Sequence, residues 1–146
     1  MKTIMLCFLC CTAFLLAGGQ SQQPWQWQNP LPQGNGLFGG CATGPQSYLA
    51  VGAYGTIIKT TSAGASWTFI DPVVPAFLEG VSFAGSMHGI AVGDDGTIIQ
   101  TTDGGDTWSV GTCPVTSSLL GIHMPTATTA YACGVGGVVL KSVDAG

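Results

Sequence analysis

Val51-Gly-Ala-Tyr-Gly-Thr-Ile-Ile-Lys-Thr-Thr61 returns as Val92-Gly-Asp-Asp-Gly-Thr-Ile-Ile-Gln-Thr-Thr102, and again as Cys133-Gly-Val-Gly-Gly-Val-Val-Leu-Lys-Ser-Val143. Each copy starts 41 residues after the previous one, at 51, 92 and 133. The register holds upstream without a gap: Leu37, Leu78 and Leu119 coincide, as do Gly39, Gly80 and Gly121. Residues 47–52 match 88–93 and 129–134 in the same way. Agreement at so many separate positions marks an internal repeat, and a period near 40 residues constrains the architecture before any single element is considered.

One period reads as four short strands. Residues 78–83 form the first, ending at the Ala84-Gly85-Ser86 turn. Residues 89–92 are small and apolar on both sides, as in a strand buried on both faces. Gly93-Asp94-Asp95-Gly96 is a tight turn of residues that tolerate positive φ. Residues 97–101 are β-branched except Gln100, and 107–110 begin the fourth strand after a turn over 103–106. Four antiparallel strands per period predict the blade of a β-propeller. The fold class is therefore all-β, with blades over 37–77, 78–118 and 119–146. Three such periods fall short of the four to eight blades that close a ring. The chain is expected to be part of a larger ring; completion by several chains and a frayed third repeat are the alternatives.

The turn after the third strand carries a recognisable motif. Thr101-Thr-Asp103-Gly-Gly105-Asp-Thr107-Trp108 resembles the Asp-box, the bacterial neuraminidase repeat of form Ser/Thr-x-Asp-x-Gly-x-Thr-Trp. The local chemistry suits it. A carboxylate at Asp103 can accept backbone N–H bonds across the turn, Gly105 takes a left-handed conformation, and Trp108 covers the hairpin. The first copy, Thr60-Thr-Ser62-Ala-Gly64-Ala-Ser66-Trp67, keeps Gly64 and Trp67 but has Ser62 in place of the acid. The third runs Ser142-Val-Asp144-Ala-Gly146. Together with the Val-Gly-x-x-Gly-Thr-Ile-Ile-x-Thr-Thr stretch, the boxes are similar to the photosystem II stability/assembly-factor-like repeat family. That resemblance covers about residues 25–146 and implies a seven-bladed ring and a role in assembling the reaction centre. The opening 25–36 looks like the start of secreted bacterial relatives that are not photosynthetic.

Composition narrows the partners. Charged residues make up 7% of the 146, against 23 Gly and 8 Pro, and the net charge is −4. An ordinary soluble domain carries about 25% charged residues, so a helical bundle or a charged tail is a poor fit. The chain has no Arg, and its Lys are Lys2, Lys59 and Lys141. A nucleic-acid partner needs cations to displace counterions from phosphates, which argues against that class. The resemblance implies an Arg-rich client surface in the photosynthetic factors and an Arg triad in the sialidases. This chain departs from both, because Lys cannot copy the bidentate guanidinium grip.

Residues 1–19 read as a signal peptide. Lys2 supplies the positive start, 4–17 are apolar apart from Thr12, and the small residues Ala17 and Gly19 precede a polar chain. That run is short of the ~20 residues that cross a bilayer. The expected address is secreted, cell-surface or periplasmic, with a Gln/Pro-rich leader over 20–36. Cys41, Cys113 and Cys133 then remain, either as one pair (Cys113 with Cys133 being nearest in sequence) and a free thiol, or as small apolar residues in strands.

Candidates for chemistry each meet a plainer alternative. The boxes (Ser62, Gly64, Trp67, Asp103, Gly105, Trp108, Asp144 and Gly146) are read as structural. Asp94, Asp95, Asp103 and Asp106 are the acids nearest one another, and could hold Ca²⁺ or stand as solvated turn residues. His88 and His123 occupy different repeat positions, which speaks against a zinc pair. Glu79 is the sole Glu and stands where the other copies have Phe38 and Leu120. No G-x-S-x-G elbow occurs. Trp25 and Trp27 either stack on sugar rings or belong to the outer strand of a blade. No catalytic residue, metal or cofactor is expected. The reading is an exported non-catalytic propeller segment that binds proteins or serves as a scaffold, with self-association as one way to complete the ring. A photosystem II assembly-like role and a carbohydrate-active, sialidase-like propeller without the Arg triad are the alternatives.

Overall fold

A computed structural model describes Trp25 and residues 34–144. The signal-peptide segment 1–19, most of the leader, Trp27 and Gly146 lie outside the described residues. The first sheet is a meander of β1 (Leu37–Gly44), β2 (Ser47–Gly52), β3 (Ile57–Thr60) and β4 (Thr68–Ile70). The second repeats it with β5 (Leu78–Ala84), β6 (His88–Gly93), β7 (Ile98–Thr101) and β8 (Ser109–Val110). The third holds β9 (Leu119–His123), β10 (Ala130–Gly134) and β11 (Val139–Ser142) in the order β11-β10-β9. Every neighbouring pair is antiparallel.

The strand ends show what overrides simple patterning. Thr97 does not enter the third strand, because its N–H bonds the Asp94 carbonyl at 2.9 Å and closes a one-turn 3-10 helix over Asp94–Gly96. Thr107 and Trp108 stay outside the fourth strand because the box turn holds them. Within the 3-10 turn Asp95 has φ 54° and Gly96 φ 69°; Asp tolerates this left-handed region better than most residues.

A Gly ends the second strand of each sheet for a tertiary reason. A Cβ on Gly93 would stand 1.9 Å from the Phe77 carbonyl oxygen, and one on Gly52 or Gly134 would meet Gly36 or Ser118 equally closely. That approach lets the next N–H reach the same carbonyl: Asp94 N to Phe77 O is 3.0 Å, Ala53 N to Gly36 O 2.9 Å, Val135 N to Ser118 O 2.9 Å. Each bond ties the second strand's end to the residue before the first strand.

The sheets stack face to face, with β1 against β5 and β5 against β9 along the inner wall. Two apolar layers lie between them. Leu49, Val51 and Ile57 of the first blade meet Leu78, Val81, Ala91, Ile99 and Trp108 of the second. Ile90 and Val92 of the second then meet Leu119, Met124, Ala130 and Ala132 of the third. A fully buried side chain such as Ile99 contributes roughly 1.5–3 kcal/mol. Repetition therefore builds the core, each blade burying one face against its neighbour.

Candidate functional site

Asp103 organises the second box. Its Oδ1 accepts the Thr101 hydroxyl at 2.8 Å and the Asp106 and Thr107 backbone N–H groups at 3.0 Å each. Its Oδ2 accepts the Thr107 hydroxyl at 2.6 Å. The Thr101 hydroxyl oxygen in turn accepts the N–H groups of Asp103 and Gly105. Gly105 has φ 89°, and a Cβ there would stand 2.5 Å from Leu49 Cδ1, so two constraints select Gly. The indole of Trp108 is buried, donates from Nε1 to the Gly105 carbonyl at 3.2 Å, and meets Phe83 edge-on at 6.2 Å. The box also joins two blades, since Lys59 of β3 donates to Asp106 at 2.6 Å. That pair is largely solvated on the acid side and is worth about 0–1 kcal/mol.

The Thr107 hydroxyl, with the Thr107 N–H and the Thr101 hydroxyl, holds the Asp103 carboxyl well below the usual carboxylate range. Its ordinary value in an unfolded chain is about 3.9. As pH falls through that value, the unfolded chain binds a proton that the folded box refuses, so stability declines with acidification. The urea midpoint of the wild type is expected to fall below pH ~4 toward that of Asp103→Asn, with the two far apart at pH 7. A gap that stays constant down to pH ~2.5 would remove the carboxylate charge as the source of the effect.

In the first box Ser62 offers one oxygen where Asp103 offers two. The Ser66 N–H reaches Ser62 Oγ at 3.0 Å, and the two hydroxyls also lie 3.0 Å apart. The Thr60 hydroxyl oxygen still accepts the N–H groups of Ser62 and Gly64. Trp67 meets Tyr48 edge-on at 6.4 Å, but its buried Nε1 has no partner among the described residues. Ser62→Asp is expected to add stability of about 1 kcal/mol, a typical single hydrogen-bond gain. Thermal melting would show this as a rise of about 2–4 °C, and a fall would mean that the first turn cannot take the second turn's geometry. In the third copy the Ser142 hydroxyl donates to Asp144 at 2.8 Å and accepts the Asp144 N–H at 3.3 Å, matching the opening of the second box.

The remaining candidates separate in space. Asp94 and Asp95 precede β7 while Asp103 and Asp106 follow it, so a strand divides the four acids between opposite ends of the blade. No group of three or more His, Cys, Asp or Glu placed to hold a metal occurs among the described residues. His88 opens β6 and His123 closes β9, on different blades. Glu79 lies half-buried in β5. Trp25 is fully exposed and in no strand, which corrects the outer-strand reading for that residue.

All three thiols are free, so Cys113 and Cys133 are not paired. Their reading as buried strand residues also needs correction. Cys113 sits half-buried in the connection between β8 and β9. Cys133 is exposed although its counterparts Val51 and Val92 are fully buried. The cause is positional: Val51 and Val92 face a following blade, and among the described residues nothing covers that face of the third sheet.

One feature escaped the sequence reading. Tyr54 has φ 57° at the position held by Asp95 and Gly136 in the other copies. A bulky side chain there is a conformational outlier, costing of order 1 kcal/mol. Its ring is 63% exposed and meets Phe77 edge-on at 5.1 Å; Phe77 in turn lies 5.9 Å from the half-exposed Phe38. The three rings form an aromatic rim at one end of the blades, built from β1, the 3-10 turn after β2 and the residue before β5. A Tyr between Ala53 and Gly55, where the other copies carry Asp95 and Gly136, was the available signal.

No protein-family model matches the chain, and no curated protein matches it. Solved structures do. YCF48 bound to a D1 peptide is 24% identical with a TM-score of 0.73, over 80% of this chain and 40% of that one. The fold is a β-propeller. YCF48 from Cyanidioschyzon merolae aligns at 21% identity and a TM-score of 0.69, over 80% of this chain and 39% of that one. An ancestral GH74 enzyme aligns at 17% identity and 0.59, over 75% and 17%. The chain thus spans about two fifths of the YCF48 structures it matches. Its described blades are three neighbouring blades of a propeller, and the box turns join third to fourth strands, outward from the β1–β5–β9 wall.

Proposed function

We propose that this chain is an exported, non-catalytic propeller segment that binds other proteins, with the boxes as braces and the Phe38–Phe77–Tyr54 rim as a contact surface. The observation that carries the reading is Tyr54, an aromatic held exposed at a backbone cost that Gly136 avoids. Exposed aromatic clusters supply large contact area with little loss of side-chain freedom on binding. A propeller of similar fold has been solved bound to a peptide, which agrees with this reading. The signal-like pattern of 1–19 supports an address outside the cytoplasm in this proposal. The ring of the resembling family has seven blades, and self-association is one way such a ring is completed here.

Quantitative affinity purification from the native host, with the wild type beside Tyr54→Ala/Phe77→Ala, tests the rim. One defined protein is expected to be retained by the wild type and reduced about tenfold or more by the double variant. Equal retention by both would exclude the rim, and turnover of a glycoside by the purified chain would exclude the non-catalytic reading.

A second reading is a photosystem II assembly-like role, favoured by the likeness to YCF48 bound to a D1 peptide. The absence of Arg from these 146 residues weighs against it, since the resemblance implies an Arg-rich client surface in the photosynthetic factors. Titrating a D1 peptide into the purified chain distinguishes the two: saturable binding supports the assembly role, and none at high micromolar peptide removes it.

A further inference from the structure

Leu37 pairs with Gly52, Leu78 with Gly93 and Leu119 with Gly134, so each first strand begins beside the turn that follows its second strand. The fourth strand of the first blade returns to the same end, since Ile57 pairs with Ile70. The Phe38–Phe77–Tyr54 rim lies at this end and the box turns lie at the other. The acids at the two ends differ in what they are bonded to. At the box end Asp103 is held by its own turn, Asp106 by Lys59 and Asp144 by the Ser142 hydroxyl. At the rim end stand Asp71, Glu79, Asp94 and Asp95, and among the described residues no side-chain hydrogen bond or ion pair reaches any of them. Among the described residues no cation shares that end. Lys59 and Lys141 lie in the far halves of β3 and β11, and His88 and His123 at the box ends of β6 and β9.

Backbone links set three of these acids beside the three rings. The Asp94 N–H donates to the Phe77 carbonyl at 3.0 Å. A Cβ on Gly39, the residue after Phe38, would stand 2.8 Å from the Glu79 carbonyl oxygen. Pro72, the residue after Asp71, lies 3.0 Å from where a Cβ would stand on Gly55, which follows Tyr54. Glu79 is also aimed by its backbone. The register slips between Leu78 and Gly80, which makes Glu79 the bulged residue of β5, and bulges re-aim side chains. Neighbouring blades cover both faces of β5 and β6 covers one edge, so the half-buried Glu79 reaches water along the inner wall. Phe38 and Leu120 hold the same bulge in the first and third blades and are 48% and 53% exposed. Glu79 is thus an unpaired acid in an apolar row.

We infer that the rim recognises a positively charged segment of a partner protein, in which Lys or Arg side chains are set between apolar ones. The acids pair with the cations, while the rings offer apolar contact and faces for cation–π attraction. Like charge gathered at one end, with no cation beside it, steers a basic segment to that end rather than to the boxes. The inference rests on the protein-binding reading of the rim and names the chemistry of what binds there.

The probe is a labelled, unstructured peptide in which Lys and Leu alternate with Gly and Ser, titrated into the full chain and followed by anisotropy. Saturable binding is expected, and none for the same peptide with Glu in place of Lys. Glu79→Gln/Asp94→Asn is expected to weaken binding about tenfold. Asp106→Asn/Asp144→Asn removes the same formal charge from the box end and is expected to change it less than about twofold. Absence of binding would overturn the proposal, and so would equal weakening by the two pairs, which would reduce the effect to net charge. The affinity purification from the native host separates this inference from the rim reading. A partner lost with Tyr54→Ala/Phe77→Ala and also with Glu79→Gln/Asp94→Asn supports both. A partner that needs the rings but tolerates the acid pair would leave the rim standing and overturn its cationic specificity. Peptide binding that needs the acids but tolerates Tyr54→Ala/Phe77→Ala would support the cationic specificity and overturn the aromatic contact surface.

Discussion

Trp108→Ala is expected to lower stability by about 3–5 kcal/mol, the range for truncating a buried large aromatic. The side chain is 8% exposed and lies in the layer between the first two blades. Its removal opens a cavity against Leu49 and Val51, ends the edge-on contact with Phe83, and frees the Gly105 carbonyl from its Nε1 partner. In a chain of this size the loss corresponds to a melting temperature lower by about 10–15 °C. Trp108→Phe keeps most of the apolar area and is expected to lose less than half as much. The check is a pair of urea unfolding curves, with the slope as a guide to whether both blades still unfold together. A loss below about 1 kcal/mol would show that the blades do not depend on the indole.

Gly93→Val is the second large effect, for the opposite reason. Gly93 is extended, at φ −168° and ψ −154°, so its backbone conformation is open to any residue. The obstacle is space: a Cβ would stand 1.9 Å from the Phe77 carbonyl oxygen, 2.9 Å from that residue's carbonyl carbon and 3.0 Å from Leu78 Cα. These are backbone atoms that cannot rotate away. Relief requires moving the start of β5 and breaking the 3.0 Å bond from Asp94 N–H to that carbonyl. The expected cost is about 3 kcal/mol or more, at the upper end for overpacking. Thermal melting measures it, and hydrogen exchange should place the damage at the β5–β6 end. Gly85→Val is the control, because nothing lies within 4 Å of a Cβ there, although its φ of 73° carries its own strain. A loss at Gly93 below about 1 kcal/mol would show that the start of β5 yields to the added Cβ and that the contact with Phe77 is not the constraint.

Much of the fold was legible because it repeats. Leu37, Leu78 and Leu119 each open a first strand, and the Ile-Ile-x-Thr runs at 57–60 and 98–101 become β3 and β7. The second box was equally plain: Thr101, Asp103, Gly105, Thr107 and Trp108 lie within eight residues and satisfy one another through local hydrogen bonds. Short-range chemistry of this kind needs only chain order. The exact strand ends were not legible, since Thr97 and Thr107 spend their hydrogen bonds on turns rather than on the ladder.

The aromatic rim stayed hidden because Phe38, Tyr54 and Phe77 come from three separate segments. Cys133 was misread for a related reason: its sequence surroundings equal those of Val51 and Val92, and only the blade next to it differs.

By itself, the sequence determined the period, the strand order within each blade, the turn chemistry and the box at Asp103, because these depend on hydrogen bonds and hydrophobic alternation over a few residues. Tertiary structure alone decided which faces the described blades cover, why a Gly must end each second strand and which rings meet at the rim. Those outcomes follow from how blades stack, and stacking joins residues about 40 positions apart whose individual identities do not announce their neighbours.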